Sequence, residues 1–448
     1  MSTATTRRVT AAFQSGPLAV RSFRLLAGGQ FASTIGDYCY AVALPWLVLS
    51  NHGSTILLGI LLACYGVPRT VLIPVGGILA DKIGPRTLML FTDVLRCALV
   101  GVLTFLAARH TASLVTLGPT AAVIGGCEGL FLPASFTIMP SLLGDTQLTA
   151  GNALNQTAIQ AGSLIGPAIG GALVAITGAS TAAFGIDAVS FALSAVSLAL
   201  IPRRPAARPV AASPAEAADS TAGPADTGPD SPATGPDGLA AQPAGKPPGV
   251  LSYIRHSRGI QLVMLVAIAM NLGSGGLGEV ALPALAHAHW GAGGYGAVLA
   301  CMAAGAVLGT LAAARTGAMR NPGRLASWAF TTAGCAIILV PFLGGEAGAA
   351  AAMLLDGACT SLGGVLFYTM AQRSLPPAML GRVLSMIMLC SYGIFPLSVV
   401  VAGVLVHHVG TTPFFPIAGI FLVLAILGGN SQRAFRDFGR PAGSRRRS

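Results

Sequence analysis

"GGILADKIGPRTLM", residues 76–89, sets an aspartate, a lysine and an arginine within six residues, directly after an apolar run. What those charges are for depends on the solvent around them, and composition settles that. Of the 448 residues, 53% are hydrophobic and 9% charged, and the mean hydropathy is +0.73. Such a chain lies far outside the soluble range and reads as a polytopic membrane protein. The charges then mark the edge of a hydrocarbon layer.

A window of about twenty residues, the length that crosses that layer, finds apolar segments near residues 36, 68, 97, 127, 163 and 190, and again near 271, 304, 333, 359, 393 and 421. Between the sets, residues 202–249 are rich in Pro, Ala, Gly and Asp, without aromatics or periodicity. That composition buries too little apolar surface to offset its ordering entropy, so it reads as a disordered tether. If the N-terminus is cytoplasmic, Arg109 alone of the 26 Lys and Arg lies outside and Arg69 and Arg96 lie within the membrane, while all the others face the cytoplasm. The net charge of +11 is thereby explained by anionic headgroups, with no nucleic acid as partner. The first twenty residues lack the apolar core of a cleavable signal, so the first spanning helix is expected to direct insertion. Eight scattered cysteines without CxxC spacing read as reduced packing residues.

The two sets look duplicated. "GTLAAARTGAMR" after the eighth segment echoes "GILADKIGPR", with Gly309, Leu311 and Ala312 matching Gly77, Leu79 and Ala80. "FTIM" at Phe136 and "FYTM" at Phe367 recur at nearly the same offset, which argues for two parallel six-helix halves. The expected fold is an all-α membrane protein of twelve transmembrane helices with both termini cytoplasmic. It divides into an N-terminal tail (1–21), a first half (22–201), a linker (202–257), a second half (258–430) and a basic tail (431–448).

Gly77, Leu79, Ala80, Asp81, Gly84 and Arg86 in the opening stretch resemble the signature of the major facilitator superfamily between its second and third helices. Lys82 replaces an arginine of that signature and Pro85 stands where another arginine is usual. The resemblance implies a conformational motif in which Gly77, Asp81, Lys82, Gly84 and Arg86 take part. Physically, Asp81 at a helix end can face the positive N-terminus of a helix in the other half, a latch that one conformation makes and the other breaks. "GSLIGPAIGG", residues 162–171, resembles the glycine motif of drug/proton antiporter exporters in Gly162, Gly166, Pro167, Gly170 and Gly171. Small residues at that spacing with a proline make a tightly packed, bent helix interface. "FTDVLRC", "LPASFTIMPSLL", "LTAGNALNQ" and "GRVLSM" narrow the likeness to the macrolide-efflux and enterobactin-exporter branch. Gly125 departs from it, standing where many antiporters carry an arginine.

A charge within a spanning helix costs several kcal/mol unless paired or hydrated, about 2.5–3.5 on insertion scales, so each intramembrane ionisable residue is a functional candidate. Asp37, Arg69, Glu128, Glu279 and Asp356 are the coupling and substrate candidates. Arg69 stands about 18 Å along its helix from Asp81, and Asp37 about 19.5 Å from Arg24, so the two are expected to pair near the midplane, with Glu128 beside them. Asp93 and Arg96, three apart on one helix face, belong with the conformational motif and are expected to neutralise each other. Asp187 reads as a seeker of an interhelical hydrogen bond. His407 and His408, adjacent on a helix, diverge by about 100 degrees and are poor co-ligands.

No nucleotide-binding loop and no nucleophile with a base is present, so no catalytic residue, metal site or cofactor is assigned. The expected function is secondary active export of amphipathic small molecules by alternating access, coupled to protons or another cation. The setting is the inner (plasma) membrane, in a multi-pass monomer whose partners are the bilayer, the substrate and the coupling ion. Siderophore export, lysophospholipid flipping and a non-transporting sensor or scaffold are the alternatives.

Overall fold

The computed structural model describes residues 16–432 except 52, 110, 112–113, 203–254, 256, 316–321 and 375–376. The tether and the basic tail lie outside the described residues. The first half comprises α1 (Arg21–Ser50), α2 (Thr55–Ile83), α3 (Pro85–Ala108), α4 (Leu114–Leu142), α5 (Asp145–Thr177) and α6 (Thr181–Leu200). The second begins with α7, which runs through Arg258–Gly276, a π-helical turn Leu277–Ala281 and Leu282–His289. It continues with α8 (Gly291–Arg315), α9 (Pro322–Leu339), α10 (Gly345–Ser374), α11 (Pro377–Val409) and α12 (Thr411–Ser431). Among the described residues ten spans are long and apolar enough to cross a membrane, and Gly323–Leu339 and Gly393–Val409 are shorter apolar helices.

The opening stretch is a helix–helix corner. Gly84 takes φ +87°, which ends α2, and its N–H still donates to the Ala80 carbonyl at 3.0 Å. Pro85 then occupies the first position of α3, where its missing N–H costs nothing. The proline that departs from the family signature thus does local work. Arg86 donates from Nε to Leu198 O at 2.9 Å and from Nη2 to Ala199 O at 2.8 Å, capping the exposed carbonyls at the end of α6. Asp81 and Lys82 stay exposed.

Helices that follow one another in sequence are mostly not the ones that pack. α1 lies against α5 and α6, α2 against α4, and α3 against α6, while α8 lies against α10 and α9 against α12. Between halves, α2 packs on α11 and α5 on α8. One face carries the start of α1 and the α2–α3 corner and is called near; the face where α1 and α7 end is called far. The halves meet towards the far face. Thr55 Oγ1 donates to Gly403 O at 3.0 Å, a Cβ on Gly66 would touch Phe395 and Pro396 at 3.0 Å, and the Trp46 ring meets His287 edge-on at 4.8 Å. The large apolar core accordingly draws on both halves, joining Leu58 and Leu61 to Leu285, Val298, Val399 and Phe415. A second cluster at the near face, including Phe23, Leu26, Ala80, Leu88, Ile138 and Leu198, belongs to the first half alone. Farther from the far face α5 and α8 turn to their own halves: Gly162 faces Thr34, and Gly305 and Gly309 face Leu354 and Ala358.

Candidate functional site

The site is built on the crossing of α2 and α4. Gly125 and Gly129, one turn apart on α4, lie against the backbones of Tyr65 and Arg69 so closely that a Cβ at either would strike a carbonyl oxygen. This is why no arginine stands at residue 125: the packing leaves no room for a side chain. The close crossing carries Glu128 to Arg69, and Arg69 Nη2 meets Glu128 Oε1 at 3.0 Å. Their side chains remain 21% and 27% exposed although both sit mid-helix, so they face a hydrated cavity rather than a sealed core. The Arg69 guanidinium also lies 5.9 Å from the centre of the Tyr65 ring, one helical turn earlier.

Asp37 is exposed in the middle of α1 beside Tyr38, which is 38% exposed. It does not pair with Arg69 as expected. The expectation took helices adjacent in sequence to be adjacent in space, whereas α2 leans on α4 and α11 and only lightly on α1. Asp37 instead lies within electrostatic range of Arg96, Arg69 and Glu128. From the other half, Glu279 comes within range of Arg69 and Tyr38. It stands in the π-helical turn of α7, whose freed Gly278 carbonyl accepts from the buried Tyr295 hydroxyl of α8 at 3.0 Å. Such bulges often mark functional sites, because they re-aim a side chain that a regular helix would place elsewhere.

Asp356 stands apart. Its Oδ1 accepts from Thr360 one turn along α10 at 3.3 Å, and the neighbouring Gly357 packs on Met302 of α8. Asp93 and Arg96 lie within electrostatic range of each other, but no direct ion pair joins them among the described residues. Side chains three apart can diverge along a helix, and here each finds a different neighbour. Asp93 Oδ2 accepts from Ser194 of α6 at 2.6 Å, while the Arg96 guanidinium lies 5.2 Å from the ring centres of Phe131 and Phe191. Asp187 Oδ1 accepts from Ser190 at 3.5 Å on its own helix, the long end of the hydrogen-bond range, and both pack on Gly36. Ser194, Phe131 and Phe191 carry no local signal in the sequence; Tyr65 does, at helical spacing from Arg69.

The exporter glycine motif lies on two interfaces. Gly162, Gly166 and Gly170 face α1 through Thr34, Tyr38 and Cys39, whereas Gly171 faces Ala292 and Gly296 of α8 in the other half. Pro167 O touches Gly296. His407 and His408 are exposed, with ring centres 5.2 Å apart.

A profile described as Major Facilitator Superfamily matches residues 26–398. The chain belongs to that superfamily. It is therefore a membrane transporter and not an enzyme. Among curated relatives, the multidrug efflux pump Tap of Mycolicibacterium fortuitum is 28% identical over 166 residues, covering 36% of this chain and 39% of the pump. The uncharacterized MFS-type transporter YfiS of Bacillus subtilis (strain 168) is 26% identical over 151 residues, 34% of this chain and 35% of its own length. The matched stretches thus span well under half of these relatives. Among solved structures, a bacterial homologue of the iron transporter ferroportin in its inward-facing state superposes with a TM-score of 0.65 at 15% identity, covering 94% of this chain and 99% of that one. A POT family transporter in complex with 5-aminolevulinic acid gives 0.65 at 16%, covering 91% and 95%. At such identities the likeness establishes the superfamily's fold and nothing of the cargo.

Proposed function

We propose that the protein is a proton-coupled exporter of amphipathic organic cations. One observation carries this reading: among the described residues, Asp37, Glu128 and Glu279 lie around Arg69, between two tyrosines, Tyr38 and Tyr65. With all three carboxylates ionised, negative charge in the site would exceed that of the two described guanidinium groups in range, Arg69 and Arg96, which favours keeping a proton on one of them. An incoming organic cation supplies the missing positive charge and releases that proton, while its apolar part lies on the aromatic rings. The same field opposes an anionic siderophore. The likeness to an efflux pump agrees with export. If the termini are cytoplasmic, as the basic residues argue, packing between the halves at the far face supports a reading in which cargo loads from the cytoplasm.

The test adds tetraphenylphosphonium to the purified, detergent-solubilised protein in weakly buffered solution. Binding is expected to release protons, and Glu128→Gln is expected to retain binding while losing most of the release. Absence of binding by wild-type protein, or undiminished release by the variant, would overturn the reading.

A further inference from the structure

Behind the cavity, between α3, α4 and α6, lies a second charged group that the substrate reading does not use. Asp93 is fully buried, and only one of its two carboxylate oxygens is bonded: Oδ2 accepts from Ser194, whereas Oδ1 has no hydrogen-bond partner among the described residues. Arg96 is 4% exposed, and its Nε and Nη2 likewise have none. Phe131 and Phe191, each 5.2 Å from the guanidinium, hold that cation by its faces and contribute no acceptor. A buried network left partly unsatisfied is costly, because each unmet donor or acceptor has lost its hydration.

The unmet valences indicate the occupant. Two donor nitrogens on Arg96 and one acceptor oxygen on Asp93 suit one water molecule, which accepts a hydrogen bond from each nitrogen and donates one to the carboxylate. A metal cation would meet the Arg96 charge. A chloride would suit Arg96 but would face the Asp93 carboxylate. Around the pair stand Asp37 of α1, Cys97 of α3, Cys127 of α4 and Asp187 of α6, and Asp37 in turn lies within range of Arg69 and Glu128. Three aspartates thus share the one guanidinium of Arg96, and Asp37 belongs both to this group and to the cavity.

We propose that Asp93 and Arg96, bridged by a buried water, form a second proton-binding site separate from the substrate cavity, with Asp37 as its connection to the cavity. Protonation of Asp93 converts its free oxygen from acceptor to donor and leaves the Arg96 charge to Asp187 and Asp37. The proton comes from water in the cavity and returns there, so no other reactant is needed. The inference concerns proton binding and stands without the identity of the cargo.

Infrared difference spectra of the full chain in lipid nanodiscs, acid minus alkaline, read each protonated carboxyl group as a separate band. Asp93→Asn is expected to remove one band. Ser194→Ala, which deletes the hydrogen bond to Asp93 and leaves the charges in place, is expected to shift that same band, and it decides the matter if Asp93→Asn fails to fold. Spectra identical to wild type would overturn the proposal, as would a band that follows sodium or chloride concentration rather than pH. Tetraphenylphosphonium separates the two sites: it is expected to discharge the Glu128 band and spare that of Asp93. Loss of the Asp93 band on adding it would show one shared site and refute the separation. Failure of tetraphenylphosphonium to bind, with the Asp93 band intact, would sink the cargo reading and leave this one standing.

Discussion

Gly171→Ala should open the far face. In this conformation a Cβ on residue 171 would lie 2.7 Å from Ala292 O, 2.8 Å from Gly296 Cα and 3.1 Å from Gly296 N, all in the opposite half. Comfortable carbon contacts begin near 3.5 Å, so α5 and α8 must separate by about 0.7 Å to admit one methyl group. The obstacles are backbone atoms, which cannot swing aside as a flexible side chain would. Overpacking of this kind costs about 1–3 kcal/mol, and the cost falls only on the state in which the far face is closed. The balance between conformations should therefore move about 5- to 150-fold towards the state with the far face open. Gly170→Ala supplies the control, because its Cβ would lie 2.9 Å from Cys39 Cα within the same half. That contact does not cross between the halves, so the substitution should lower the melting temperature without moving the balance. The assay is a spin-label distance distribution between cysteines placed at the exposed Ser50 and Ala288, after the native cysteines are replaced. A longer distance population should grow in Gly171→Ala alone. An unchanged distribution, or an equal shift in Gly170→Ala, would refute the assignment of Gly171 to the gate.

Two further outcomes follow from the corner and the tether. Asp81 is exposed here and no bond to it is described, so Asp81→Asn should cost nothing in this conformation and weaken the opposite one. A lost helix-end interaction of about 0.3–2 kcal/mol should raise thiol labelling at near-face positions severalfold, and equal labelling rates on both faces would dismiss the latch. Replacing residues 206–246 by a Gly/Ser tether of equal length should leave efflux intact, since a Gly/Ser chain of about forty residues reaches about 35 Å; abolished efflux at normal expression would give the linker a role beyond joining the halves.

The helices were legible, ten of them as full apolar spans among the described residues, because hydropathy at the scale of a bilayer is a property of composition, which needs no knowledge of neighbours. The corner at Gly84 and Pro85 was legible for a similar reason: its chemistry is local. Pairing was not. Asp37 and Arg69 have matching depths, yet Arg69 bonds to Glu128, because the glycines of α4 draw α2 against it. Depth along a helix can be counted from sequence, but rotation about its axis and the choice of neighbour are set by packing across the bundle. Asp93 and Arg96 show the same limit within one turn, since Ser194 and two phenyl rings compete successfully for them. Glu279 was a candidate by charge alone, and the π-helical turn that aims it has no signature in the residues.

Charge gathers in one half, and the repeat expected from the sequence offers a comparison. Gly125 of α4 and Gly357 of α10 hold equivalent places in the two repeats, and each lies against the backbone of the helix two before it, at Tyr65 and Met302. Packing has therefore been kept on both sides of the molecule. The charge has not: at the place of Glu128 the second repeat has Thr360, which donates to Asp356 within its own helix. A helix crossing that close tolerates an ionised group only where water or a counter-charge meets it, and Arg69 provides one in the first half. The second half instead reaches the cavity through Glu279 on α7. On the proton-coupled reading proposed above, Glu128, beside Arg69, would exchange its proton within one half, while Glu279 would meet them across the halves. On that reading a cargo that touches Glu279 and Glu128 together would link closure of the halves to the carboxylates proposed to hold the proton, which is the coupling that alternating access requires.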